Sequence, residues 1–171
     1  FLNENEFLVT EKSGTLYYIK KGQKKEVVGL PKIYNRGQGG LLDVALHPNF
    51  NQNNIIYLTL SSNIGEDQNG GNTALYSGVI KEFNVQINEI RLTNLKLLYK
   101  GEPNSSKGQH FGSRIVFDDK GYLYFSIGDR GNRDVNPQDI ERDGGKIYRL
   151  KLDGSIPVDN PFVGVPRAKE A

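Results

Sequence analysis

Helical periodicity is nearly absent from this chain, whereas alternation of apolar and polar positions, bounded by Gly, Asn and Asp, recurs along its whole length. Strands are therefore predicted at Glu6 to Glu11 and Thr15 to Lys20, joined by the turn Lys12-Ser13-Gly14, with a third at Lys25 to Leu30. A second unit follows. It comprises a strand from Leu41 to Leu46, an Asn-rich turn at Asn51 to Asn54, the apolar run Ile55 to Leu60, and two longer strands, Leu75 to Val85 and Glu89 to Tyr99, joined at Gln86-Ile87-Asn88. A third unit holds Arg114 to Phe117, the turn Asp118 to Gly121, Tyr122 to Ile127 and Lys146 to Leu152.

The phrase "apolar strand, polar turn, aromatic-rich strand" occurs at Leu42 to Leu60 and again at Arg114 to Ile127. Strand units repeating at roughly 50 to 65 residues are the signature of an all-β β-propeller, whose sheets pack face to face. An immunoglobulin-like sandwich also consists of short strands with regular turns; the repeat favours the propeller. Propellers close with about 4 to 8 blades, so a chain of this length is expected to hold about two and a half to three. The expected division is blade 1 over about residues 1–35, blade 2 over about 36–105 and blade 3 over about 106–171. The first unit lacks a leading strand and the last a closing one, so a fragment cut at both ends is expected.

Composition sharpens this picture. Of 171 residues, 20 are glycine and 17 are Tyr or Phe, which suits tight turns and pleated strands. Twenty-two basic residues against 20 acidic ones give a net charge of +2, and with no basic block neither a nucleic-acid groove nor a polybasic membrane surface is expected. No stretch approaches the ~20 apolar residues of a membrane-spanning helix. The absence of cysteine removes disulfides, thiolate metal sites and cysteine nucleophiles.

Three Gly-punctuated loops stand where inner strands are expected to begin or end: Arg36 to Leu42, Lys107 to Arg114 and Ile127 to Asp134. Loops at one end of a propeller converge on its axis, so Gln38, Gln109, His110 and the Asp129 to Asp134 cluster are expected to meet. His110, set in a loop close to glycine, can present an imidazole suited to proton abstraction near neutral pH. A surface histidine, or one bonded to a neighbouring loop, fits the same residues. His47, in Leu46-His47-Pro48-Asn49, reads as a turn residue, and two histidines so far apart make no metal motif. The loop from Gly128 to Asp134 suits an anion or a carbohydrate, or else a solvated turn in which Asp129 caps backbone amides.

Four motifs in order, Gly37 to Phe50, His110 to Arg114, Tyr124 to Gly131, and Gly145 to Leu150 with Asp153 to Pro161, resemble the glucose/sorbosone dehydrogenase family of soluble, pyrroloquinoline-quinone (PQQ)-dependent sugar dehydrogenases. The resemblance spans essentially the whole chain. It implies a six-bladed propeller, oxidation of aldose sugars at the anomeric carbon to lactones, PQQ and Ca²⁺ as cofactors, and an external electron acceptor. It further implies His110 as the general base and Gln38 as a cofactor contact. Gln109 and Asp134 occupy cofactor-side positions where a relative carries Asp and Gln, a departure expected of the aldose-type branch. No metal ligand is assigned in this chain, because the family's main calcium ligands, its Arg-Asn-Pro-Gln loop and the basic residues facing the quinone are expected beyond Ala171. Weak or absent cofactor binding and no turnover are therefore expected of these 171 residues alone. The family is usually periplasmic or secreted, and exposed strand edges leave a homodimer open. The alternative class is a non-catalytic propeller that binds a glycan or protein.

Overall fold

The computed structural model describes residues 2–65, 68–84 and 89–171. Ten strands and one helical turn follow in order: β1 (Glu6–Glu11), β2 (Thr15–Lys20), β3 (Gln23–Val28), β4 (Leu41–Leu46), α1 (Phe50–Asn53), β5 (Ile55–Ser62), β6 (Asn72–Asn84), β7 (Glu89–Lys100), β8 (Gly112–Phe117), β9 (Tyr122–Ile127) and β10 (Lys146–Lys151). The joint at Gln86-Ile87-Asn88 lies outside the described residues.

Strands β4 to β7 form an antiparallel meander, and β8 to β10 form a second sheet of three antiparallel strands. Strands β1 to β3 join the meander through a short parallel bridge, Val27 to Ile90 and Val28 to Arg91. Since β1 also lies against β4, this hairpin group folds back over the face of the meander. β4 lies against β8 on its other side, so β1, β4 and β8 line up as neighbouring inner strands.

The alternation along β5 shows why the layers stack. Ile56, Leu58 and Leu60 point into one core with Leu16, Val27, Ala74 and Tyr76. Tyr57 points the other way, into a second core with Leu75, Ile115, Phe125, Tyr148 and Leu150. A strand with both faces buried belongs to a sheet packed on both sides, as in a propeller; a sandwich strand would leave one face to solvent. The chain is thus part of a β-propeller, as the repeat predicted.

Two local expectations are corrected. The third strand begins at Gln23, because Lys21 and Gly22, with φ of 48° and 77°, make a two-residue turn that pairs Lys20 with Gln23. The Asn-rich turn is a helical turn over Phe50–Asn53, ended by left-handed Asn54. His47 serves that turn, as predicted: its Nδ1 accepts the Asn49 N–H at 2.9 Å, its ring stacks on Tyr57, and burial lowers its pKa.

Candidate active site

The three glycine loops meet at the ends of β4, β8 and β9, backbone against backbone. Gln38 N–H donates to the Gly108 carbonyl at 2.7 Å, and a Cβ on Gly37 would stand 2.2 Å from that same oxygen. A Cβ on Gly128 would stand 2.2 Å from the His110 carbonyl oxygen. Only glycine permits approaches this close. Beneath them, β5 and β6 carry a buried row of polar side chains that hold the loops. Thr59 donates to the Ser113 carbonyl at 2.9 Å, Ser61 to that of Tyr34 at 2.6 Å, Asn72 to that of Pro103 at 2.9 Å, and Thr73 to that of Phe111 at 2.5 Å.

His110 sits at φ 53°, a left-handed conformation unusual for a residue with a side chain. Its Nδ1 lies 2.7 Å from Asp129 Oδ1, which also accepts the Gly131 N–H at 2.7 Å. Asp129 therefore caps an amide and holds the histidine at once. These bonds, the one from His110 first, lower the Asp129 pKa below its ordinary value and keep the carboxylate ionised. An ionised carboxylate only accepts, so Nδ1 carries the hydrogen. In the neutral imidazole the lone pair then lies on Nε2, the atom able to take a proton from a ligand.

The imidazole is about half exposed and lines an open polar cleft of about 240 Å³ with Gln109, Asp129, Gly131, Asn132, Arg133 and Asp134. Three of the four predicted residues, Gln109, His110 and Asp134, thus border one cleft. Gln38 does not line it; its side-chain Oε1 accepts the His110 N–H at 2.8 Å. That bond fixes the amide orientation and leaves the nitrogen as the group offered to a ligand. Larger clefts of about 460 and 490 Å³ lie beside Tyr18, Phe50 and Ile80 and beside the free edge of β10. Neither contains His110, and among the described residues no group of three or more His, Asp or Glu side chains is placed to hold a metal ion.

The sequence places Asp129 in the ligand cluster or in a turn; that it orients His110 emerges only from the structure. Arg130 belongs to that same cluster, but nothing in the sequence marks it as buried. The pairing of β8 with β9 brings Asp129 and His110 together: continuing the Gly112 to Ile127 register outward by two residues sets His110 opposite Asp129.

The profile of the glucose/sorbosone dehydrogenase family matches residues 1–171. The chain belongs to that family. It is 36% identical over 166 residues to the aldose sugar dehydrogenase YliI of Escherichia coli (strain K12), an alignment covering 95% of this chain and 43% of that protein. The apo-form crystal structure of the soluble aldose sugar dehydrogenase from Escherichia coli superimposes with a TM-score of 0.84 at 34% identity, over 95% of this chain and 45% of that one. The PQQ-bound form of the aldose sugar dehydrogenase from Streptomyces coelicolor superimposes with a TM-score of 0.75 at 26% identity, again over 95% and 45%. The chain thus spans less than half the length of these family members.

Proposed function

We propose that this chain supplies the proton-accepting side of a PQQ-dependent aldose dehydrogenase site. The observation that carries the proposal is the His110–Asp129 pair at 2.7 Å, which leaves Nε2 as the base in a polar cleft. Oxidation of an aldose at its anomeric carbon requires loss of the hydroxyl proton as hydride leaves that carbon, giving the lactone; His110 Nε2 is the acceptor of that proton. Asp129 holds the ring so that Nε2 faces the cleft and stabilises the imidazolium that forms. When bound, the quinone supplies the two-electron acceptor for the hydride.

The residues present fit one edge of such a carboxylated quinone. Gln109, Asn132 and Arg133 offer donors around the cleft, and the amide nitrogen of Gln38 adds one beside it. Asp134, paired loosely with Arg133 at 3.9 Å, is an anionic neighbour on that edge beside Asp129 and suits a sugar hydroxyl better than a carboxylate. Among the described residues no group of three or more His, Asp or Glu side chains is placed to hold Ca²⁺. An external electron acceptor and a setting outside the cytoplasm belong to the same proposal, on the strength of the family resemblance; a homodimer rests on the exposed strand edges alone.

The test is sugar-dependent dye reduction with added quinone and Ca²⁺, in the longest polypeptide that carries this sequence. Replacing His110 by Ala is expected to lower the rate by about 10²–10⁴-fold, the usual worth of a positioned general base. An unchanged rate would eliminate the base role; no sugar-dependent rate in the unsubstituted protein would favour a binding module.

A further inference from the structure

Arg130 is 1% exposed and, among the described residues, has no carboxylate partner. Its guanidinium is held instead by backbone carbonyls of separate loops: Nη1 donates to Gln109 O, and Nη2 donates to Lys107 O at 2.8 Å and to Gly71 O at 3.2 Å. Its plane lies over the Phe111 ring, 3.4 Å from the centroid, and its Nε is buried without a partner. Taking a guanidinium out of water without an anion is costly, and three carbonyls and one ring face offset only part of that cost. Burial pulls its pKa down to about 10, so it remains charged at neutral pH.

The residues it grips explain the placement. Gln109 and Phe111 flank His110, whose left-handed backbone is unfavourable for a side chain with a Cβ. Arg130 holds the carbonyl before His110, Thr73 the carbonyl after it, and Gln38 the His110 N–H. Three side chains from different elements thus fix one strained residue. Arg130 also directly follows Asp129, so a single loop delivers both the group that orients the imidazole and the group that sets its backbone.

We propose that Arg130 is a positioning residue for His110, acting through the Gln109 carbonyl to keep the imidazole within reach of Asp129. Its catalytic consequence rests on His110 being the proton acceptor, but the geometric claim does not.

The test is therefore made on the longest polypeptide that carries this sequence, labelled with ¹⁵N-histidine and observed by long-range ¹H–¹⁵N NMR. His110 is expected to show a protonated Nδ1 with a bare Nε2. His47, whose Nδ1 accepts a backbone N–H, is expected to show the reverse and serves as the internal control. In Arg130→Met the ratio of Nδ1–H to Nε2–H forms at His110 is expected to fall about tenfold, as for loss of one hydrogen bond to a charged group, while His47 is unmoved. Should His47 also collapse, so that the variant has not folded, Arg130→Lys is read instead; it keeps the charge and fewer bonds, and a smaller displacement confined to His110 is expected. A folded variant with wild-type His110 resonances overturns the proposal. Absent dye reduction alongside intact wild-type His110 signals counts against the proposed function and leaves this inference standing.

Discussion

At the scale of single residues, the site depends on which tautomer His110 adopts, and Asp129 determines it. An Asn at position 129 would keep the shape but offer an NH₂ as readily as an oxygen, so the imidazole could turn its lone pair toward residue 129 and place hydrogen on Nε2. Asp129→Asn is therefore expected to lower dye reduction by about 10²-fold or more with little change in sugar KM, since binding and proton transfer rest on different atoms. Steady-state kinetics check this, and a rise in KM with unchanged kcat would remove Asp129 from the proton path. The acid limb has a definite sign. Because the folded pKa of Asp129 lies below its ordinary value of 3.8, the stabilisation it contributes is present above that value and is lost as pH falls below it.

At the scale of elements, a β-bulge decides which residue faces His110. The pairs Ile115–Phe125 and Val116–Tyr124 share one register, and the bulge before Ile115 shifts it by one residue to reach Gly112–Ile127. Without that shift Arg130 would stand opposite His110; with it Asp129 does, and Arg130 turns inward beneath the loop. This is why the strands were legible in the sequence while the dyad was not. Tyr122 to Ile127 shows its alternation openly, but the extra residue at Ser113-Arg114, with Ser113 at φ 117°, leaves no trace in the hydrophobic pattern. The close approach of Gly128 to the His110 carbonyl is a second feature of this kind. Gly128→Ala places a methyl 2.2 Å from that oxygen, so one strand end must move. A loss of about 1–3 kcal/mol is expected, read as a lower urea midpoint with unchanged slope; a midpoint equal to wild type would show that the loops are not in this contact.

At the scale of the whole molecule, the two sheets are locked together by polar groups as well as by the apolar core. Asp143, 1% exposed, accepts from Tyr99 Oη at 2.6 Å, Tyr148 Oη at 2.7 Å and the Glu102 N–H at 2.7 Å, so β7, β10 and the loop after β7 close on one carboxylate. Lys100, beside this cluster, donates to Gly101 O at 2.7 Å and Asn104 Oδ1 at 2.6 Å, and burial lowers its pKa to about 8 from an ordinary 10.5. A lysine of this kind holds its proton more weakly folded than unfolded. The unfolded chain therefore binds more protons between those two values, and stability rises with pH across that window. Tyr99 and Tyr148 act in the opposite sense, since burial raises both and the unfolded chain loses their protons first above about 10. Thermal unfolding followed in closely spaced buffers should thus show stability climbing from about pH 8 and turning down above about pH 10. In Lys100→Met the climb should flatten while the alkaline fall remains, because the tyrosines are untouched. A variant that keeps the wild-type rise would assign it to other groups, Lys146 first, whose pKa burial also lowers. The same substitution separates stability from chemistry: Lys100 does not line the His110 cleft, so the His110 resonances should not move even where the melting temperature does.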